Sequence, residues 1–156
     1  MKKELKIEYE FFEHYNNLDK DTVKLVEKAY TVCEKAYAPY SKFYVGAAIL
    51  LENNEVILGS NQENIAFPSG LCAERTALFY VGSNFPELEI KKLVIVAEGD
   101  FVDVNATLTP CGGCRQVIAE SQNRQKNPFP IYLVNQNHSV NLFPSIKELL
   151  PLMFGA

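Results

Sequence analysis

The residues of this chain that could carry out chemistry are three cysteines and one glutamate. Cys72 is followed two positions later by Glu74, and a second motif further along contains Cys111 and Cys114. Three thiolates suit zinc and leave the fourth position of its tetrahedral coordination free for water. A carboxylate beside such a site can take a proton from the water and return it to a leaving group. These residues therefore predict a hydrolytic zinc centre, with the cysteines as ligands and Glu74 as the catalytic proton carrier.

Arg75 lies directly after the glutamate and is a candidate for a hydrogen bond to a ligand sulfur. Three thiolates leave a Zn²⁺ site with a net negative charge, so a nearby cation would help the bound water to lose a proton. A surface salt bridge is the alternative role for Arg75. For Cys111 and Cys114 alone, redox and structural-zinc roles are the alternatives. Pro110 before them and the upstream Cys-Ala-Glu phrase favour the catalytic interpretation.

The elements that position these residues can be predicted from the apolar pattern. Good helix formers follow Cys72 until Gly82, and Thr109 with Pro110 marks the start of the helix that carries the second cysteine pair. Both motifs then lie at helix N-termini, whose dipoles stabilise thiolates. Further helices are predicted over residues 21–37 and 144–150, and strands over 44–51, 56–58, 92–98 and 131–134. This alternation predicts an α/β fold, a three-layer α/β/α sandwich with a mixed sheet.

Size and composition indicate one domain. The chain has 156 residues, of which 47% are hydrophobic, and this is enough for one core. The net charge of −4 and the pI of about 5.2 argue against nucleic acid as a partner. Acidic residues near the start and the lack of a long apolar run predict a cytoplasmic protein with no membrane partner. A reducing compartment fits the cysteine spacing, and Cys33 is expected to pack in the core.

Four motifs in a fixed order resemble the short, three-cysteine class of zinc-dependent cytidine deaminases. They are residues 38–48, 61–64, 72–77 and 109–116, and Cys72 stands where the other subclass has a histidine. A Cys-x-Glu phrase followed by Pro-Cys-x-x-Cys is the signature of such deaminases. The resemblance implies Zn²⁺ as cofactor. It also implies hydrolytic deamination of cytidine and 2′-deoxycytidine to uridine and 2′-deoxyuridine, with release of ammonia, in pyrimidine salvage.

The resemblance also implies which residues bind the nucleoside. Asn61 and Glu63 match the pair that holds the ribose 3′-hydroxyl, although a polar turn is their alternative role. Phe43 matches the aromatic that packs on the pyrimidine, and without the resemblance it would be assigned to the core. The backbone of Ala73 would bind the base carbonyl. Phe154 matches a C-terminal aromatic that reaches a neighbouring subunit's site, with core packing as the alternative.

The same resemblance implies a homotetramer with sites at subunit boundaries. Residues 1–19 are expected to form an N-terminal extension, and residues 20–156 the catalytic domain. His14 and His138 lie outside all four motifs and are expected to be solvated or capping residues. Two other functions stay open: deamination of a related aminopyrimidine, including a cytosine within RNA, and a non-catalytic zinc-stabilised assembly module. The second would require a fourth protein ligand, for which no Cys or His has suitable spacing.

Overall fold

A computed structural model describes residues 1–154, which form a six-stranded mixed sheet flanked by helices. The sheet has the strand order β1-β6-β5-β4-β2-β3. Its strands are β1 (Glu10–Phe12), β2 (Tyr44–Leu51), β3 (Val56–Ser60), β4 (Ile90–Glu98), β5 (Ile131–Val134) and β6 (Val140–Phe143). The helices are α1 (Lys20–Cys33), α2 (Ala73–Asn84) and α3 (Gly112–Asn123). Strands β4 and β5 are parallel and the other neighbouring pairs are antiparallel, so the predicted α/β fold with a mixed sheet is confirmed.

Helices cover the two faces of the sheet and create two apolar layers. Leu93 and Ile95 of β4 belong to the layer that contains α2 and α3, whereas Val94 and Val96 belong to the layer that contains α1. Successive side chains of a strand point to opposite faces, so a strand covered on both sides is apolar at every position. This accounts for the continuous apolar run that predicted β4. Cys33 is fully buried in the α1 layer, as expected.

The first helix ends earlier than its apolar pattern predicts. It ends at Cys33 rather than continuing to Tyr37, because Tyr37 pairs with a distant part of the chain. The Tyr37 amide donates to the Asn61 carbonyl at 2.9 Å, and the Glu63 amide donates to the Tyr37 carbonyl at 2.8 Å. Tertiary pairing has overridden local helix propensity here. As a result, the segment after α1 fixes the backbone of residues 61–63.

Gly59 allows α2 to lie very close to β3. A Cβ atom at this position would be 2.6 Å from the Ala73 carbonyl oxygen and 2.7 Å from the Ala77 amide nitrogen. A Cβ atom does not approach backbone atoms this closely in proteins, so a larger residue would push the helix away from the sheet. The missing side chain at Gly59 therefore sets the position of the first turn of α2, which follows Cys72.

The ends of the chain differ from the predicted elements. Strands β1 and β6 were not predicted, and the helix expected over residues 144–150 is one 3-10 turn, Ile146–Glu148, with a Ser145–Glu148 capping box. His14 caps a second short turn, since its Nδ1 accepts from the Asn16 amide at 3.1 Å. His138 Nδ1 lies 3.2 Å from the Tyr30 hydroxyl. Among residues 1–154, no helix has the length and apolarity needed to cross a membrane.

Candidate metal centre and active site

The starts of α2 and α3 bring three cysteine sulfurs together. Cys72 is the N-cap of α2, Cys111 is the N-cap of α3, and Cys114 lies in the first turn of α3. Their Sγ atoms all lie within 4.8 Å of one another. A tetrahedral zinc ion with Zn–S bonds of about 2.3 Å requires sulfurs about 3.8 Å apart, so small side-chain adjustments suffice. The three sulfurs fit a zinc ion that keeps one position for a non-protein ligand.

Neither N-cap cysteine forms a side-chain capping hydrogen bond. The first amides of both helices consequently keep their partial positive charge, which is directed at the sulfurs. The start of α3 differs from its prediction, because the N-cap is Cys111 and not Thr109, and Pro110 precedes the helix. The cysteine itself thus occupies the capping position, and the helix begins later than the Thr109–Pro110 signal predicts.

Arg75 supplies a full positive charge to this cluster. Its Nη2 lies 3.7 Å from Cys72 Sγ. Hydrogen bonding from the Cys114 thiol, with a further contribution from Arg75, lowers the pKa of Cys72 to about 5. The same interaction raises the pKa of Cys114, because its proton is shared with the Cys72 thiolate. The cluster therefore holds a thiolate at Cys72 near neutral pH, as zinc binding requires.

Glu74 is buried beside the cluster, with only 4% of its surface exposed. Burial raises the pKa of its carboxyl group to about 7, and the negative charge on Cys72 acts in the same direction. A carboxyl group with a pKa near neutrality can both accept and donate a proton. Glu74 thus has the location and the acidity that a proton carrier needs.

Three of the residues matched to nucleoside binding, Phe43, Asn61 and Glu63, lie on segments joined to the metal centre. The Asn61 side chain accepts from the Val45 amide at 2.8 Å and donates to the Phe43 carbonyl at 2.9 Å. This links the end of β3 to the start of β2. Residues 61–63 in turn pair with Leu71, because Gln62 and Leu71 exchange two backbone hydrogen bonds of 2.9 Å. The segment therefore ends directly beside Cys72.

Glu63 belongs to this segment, and Phe43 directly precedes β2. Glu63 Oε2 accepts from the amides of Tyr40 and Ser41 at 2.8 and 3.3 Å. The Ser41 side chain also hydrogen-bonds to this carboxylate. The Phe43 ring is half-buried and lies 6.0 Å from the Phe101 ring, centroid to centroid. The Phe43 ring packs in part against the core layer that contains α2 and α3 and leaves the rest of its surface to a ligand.

The two remaining predicted residues have different surroundings. Ala73 is buried as the first residue of α2, where its amide has no partner within the helix. Phe154 has an 88% exposed side chain, so it is not part of the core. Its carbonyl accepts from Gln116 Nε2 at 2.8 Å. The end of the described chain is therefore attached to α3 while its aromatic ring points into solvent.

Arg115 is a residue of the site region to which the sequence assigned no role. It donates from Nε to the Pro110 carbonyl at 2.9 Å and from Nη1 to the Leu149 carbonyl at 2.7 Å. Its place directly after Cys114 was a signal that could have pointed to it. Its partners could not have been deduced, because they are backbone carbonyls on two other segments.

Comparisons with known proteins agree with this geometry. The sequence model of the family described as "Cytidine and deoxycytidylate deaminase zinc-binding region" matches residues 19–127. The cytidine deaminase of Sporosarcina psychrophila is 40% identical over 86% of this chain and 92% of its own length. That of Halalkalibacterium halodurans is 38% identical over 87% of this chain and 96% of its own. The crystal structure of cytidine deaminase from Burkholderia pseudomallei superimposes with a TM-score of 0.73 at 36% identity, covering 88% of this chain and 100% of that one. The matched range includes all three cysteines of the cluster and Glu74.

Proposed function

Because this chain belongs to the family of zinc-dependent cytidine deaminases, we propose that it acts on both free cytidine and free 2′-deoxycytidine. The products are uridine or 2′-deoxyuridine and ammonia, which assigns the protein to pyrimidine salvage. The observation that carries the proposal is the group of three sulfurs within 4.8 Å of one another beside a buried glutamate. This arrangement offers a metal with an open position and a group that moves protons, the two requirements of hydrolytic deamination.

Glu74 is proposed as the catalytic residue. Bound zinc supplies the site with an acidified water molecule. The Glu74 carboxylate would take one proton from this water and deliver it to the ring N3 as the water oxygen bonds to C4. The same carboxylate would then carry the proton of the new C4 hydroxyl to the 4-amino group, so that the C4–N bond breaks, ammonia leaves and the C4 carbonyl forms. A pKa raised to about 7 supports both steps, since the group gains and loses its proton at similar cost near neutral pH.

The neighbouring residues are proposed to hold the nucleoside. The Glu63 carboxylate, with the Asn61 amide, would receive the ribose 3′-hydroxyl, and Phe43 would pack on the base. The amide of Ala73 would donate to the base carbonyl. None of these contacts requires a 2′-hydroxyl, which is why both sugars are expected as substrates. The acidic pI of about 5.2 favours a free nucleoside over RNA.

We also propose a homotetramer in which Phe154 reaches the site of a neighbouring subunit. Large apolar side chains are exposed between Glu63 and Cys72, where Ile65 is 83% and Phe67 79% exposed, and at Phe154, which is 88% exposed. Contact with a neighbouring subunit would remove these apolar surfaces from water. Size-exclusion chromatography with light scattering should give about four times 17.6 kDa. A fully active monomer would contradict the shared site. The free thiols of the triad support the proposed cytoplasmic location.

The function is tested by adding zinc-loaded protein to cytidine and recording the ultraviolet change and ammonia release in the same sample. Parallel reactions contain 2′-deoxycytidine, cytosine and a short cytosine-containing oligonucleotide. Equal amounts of uridine and ammonia from cytidine, with turnover of the deoxynucleoside, are expected. Turnover of another aminopyrimidine alone would favour the related-substrate alternative. No turnover of any of them by zinc-loaded protein would favour a non-catalytic zinc module.

A further inference from the structure

Two consecutive side chains that follow Cys114 attach other segments to the start of α3. Arg115 holds the Pro110 carbonyl at 2.9 Å and the Leu149 carbonyl at 2.7 Å, and Gln116 holds the Phe154 carbonyl at 2.8 Å. Arg115 therefore contacts the residue just before Cys111 and also the start of the last segment, residues 149–154. Among the described residues, the Gln116 side chain hydrogen-bonds to the end of that segment.

Outside the sulfur cluster, the one hydrogen bond to Cys111 among the described residues runs from the Arg115 amide to its carbonyl, at 2.9 Å. Cys111 is exposed, its side chain forms no capping bond, and two glycines follow it. A Cβ atom at Gly112 would meet nothing within 4 Å, so the side of this turn that carries Gly112 is open. Glycines in an open turn leave the backbone many alternative conformations. The Pro110 carbonyl is the nearest backbone group before Cys111 that a side chain holds in place.

We propose that Arg115 is a positioning residue for the metal centre, which fixes Cys111 through the Pro110 carbonyl and couples it to residues 149–154. The planar guanidinium donates from Nε and Nη1 in fixed directions, so one side chain can hold two carbonyls at a set separation. Among the described residues, its hydrogen bonds go to these carbonyls and to no sulfur. Its contribution is therefore geometric, whereas Arg75 acts on Cys72 directly.

Arg115 and Gln116 should therefore differ in the effects of their substitution. Loss of the Arg115 contacts should disturb both the sulfur cluster and the last segment. Loss of the Gln116 contact should free the last segment and leave the sulfurs unchanged. The proposal rests on the same zinc site as the proposed function, but its test uses no substrate. A protein that binds zinc but does not deaminate cytidine would contradict the proposed function and would not affect the positioning role of Arg115.

The experiment compares the zinc-loaded wild type with R115K, R115Q and Q116A. R124Q is the matched control, because Arg124 is the C-cap of the same helix and, within residues 1–154, forms its ion pair with exposed Glu120, at 3.4 Å. Zinc release to a chromophoric chelator and the thiolate-to-metal absorption of the cobalt-substituted protein are measured. Cleavage of residues 149–154 by a protease is followed in parallel, and circular dichroism shows whether each variant is folded.

Both Arg115 variants should release zinc about tenfold faster than wild type, in line with the effect of residues that orient metal ligands. Their cobalt spectra should shift, and the last segment should be cleaved faster. R115K should resemble R115Q, because lysine keeps the charge but loses the two-carbonyl geometry. Q116A should show faster cleavage with unchanged zinc release, and R124Q should show neither effect. Wild-type release rates and cobalt spectra in both folded Arg115 variants would overturn the proposal, and so would full rescue by lysine.

Discussion

The N-terminus of α1 and the N-termini of α2 and α3 are built in opposite ways. Asp19 caps α1 by accepting from the amides of Asp21 and Thr22 at 3.2 and 3.0 Å, and its other oxygen accepts from the Thr22 hydroxyl at 2.6 Å. Cys72 and Cys111 hold the same position in the other two helices and make no such bond. A good N-cap stabilises a protein by about 1 kcal/mol. The two helices at the site forgo this stabilisation, and their uncapped amides face the sulfurs.

The N-cap position of a helix can therefore either stabilise the helix by capping or hold a residue of the site. In α1 the capping hydrogen bonds need no bound ligand, because the Asp19 carboxylate accepts directly from groups of the first turn. In α2 and α3 the capping position holds a cysteine of the sulfur cluster. The stability of these two helix N-termini therefore depends on whether a metal is bound. Removal of a ligand, a cap or a nearby charge should consequently have different effects at the two kinds of terminus.

The largest effect is expected for Cys114→Ala. Cys114 is fully buried and is one of the three sulfurs of the cluster, so its loss leaves two ligands. Zinc content, measured by atomic absorption, should fall close to zero and deamination should be undetectable. Cys33→Ala is the matched control, because Cys33 is equally buried but lies in the α1 layer. Full zinc occupancy in Cys114→Ala would exclude this cysteine as a ligand.

The Glu74→Gln variant should keep its metal and lose its activity. Glutamine has nearly the same shape and fits the buried position, but it cannot carry a proton. Because both proton transfers of the proposed mechanism use this residue, kcat should fall by about 10⁴-fold, the upper end for general acid–base catalysis. Zinc content and the unfolding temperature are measured on the same sample. Activity within about tenfold of wild type would mean that another group moves the proton.

A smaller effect is expected for Arg75→Gln. The guanidinium lies 3.7 Å from Cys72 Sγ and offsets the negative charge of the sulfurs. Its loss should weaken zinc binding about tenfold, measured by competition with a chelator of known affinity. Arg75→Lys should recover part of the affinity because it restores the charge. Here lysine should help, in contrast to position 115, where it should not. Equal affinity in Arg75→Gln and wild type would show that the helix N-termini alone offset the charge.

Asp19→Ala tests the capped helix, and its effect should depend on pH. Hydrogen bonding from Thr22 is the largest cause that lowers the pKa of Asp19, to about 2. A carboxylate with a lowered pKa stabilises the fold above its unfolded pKa of about 3.9, and this stabilisation is lost as the pH falls through 2. Because the side chain is 59% exposed, the expected loss in Asp19→Ala is only about 1 kcal/mol at pH 7.

Urea unfolding of the wild type and Asp19→Ala at pH 7, 5 and 3 measures this difference. The two proteins should differ by the same amount at pH 7 and pH 5, and by less at pH 3. Zinc content should be equal in both. A difference that grows as the pH falls would have the wrong sign for a cap held by a carboxylate.

The sequence predicted the grouping of the three cysteines better than the elements around them. The sulfur ligands occur in compact motifs with local helix signals, so Cys72, Cys111 and Cys114 could be grouped from residue types and spacing alone. The early end of α1 could not be predicted, because Tyr37 pairs with residues 61–63, which are distant in sequence. Strands β1 and β6 are short, and β1 is largely exposed, so neither has a strong periodic signal. The contacts of Arg115 with two backbone carbonyls leave no mark on the sequence.

The smallest effect, and the most direct test of the comparison, is expected for Cys111→Asp in metal-free protein. Aspartate is a good N-cap, and position 111 is exposed, so its carboxylate can accept from the first amides of α3 without a cost of burial. If the cysteine gives up capping energy for metal binding, this variant should be more stable than the metal-free wild type by about 0.5 to 1 kcal/mol in urea unfolding. With zinc present the order should reverse, because only the wild type gains the free energy of metal binding.

Cys111→Ala provides the control, since it removes the sulfur and adds no cap. Equal stability of the aspartate and alanine variants without metal would mean that the backbone at position 111 cannot be capped, and the contrast with Asp19 would then be one of backbone geometry and not of residue choice.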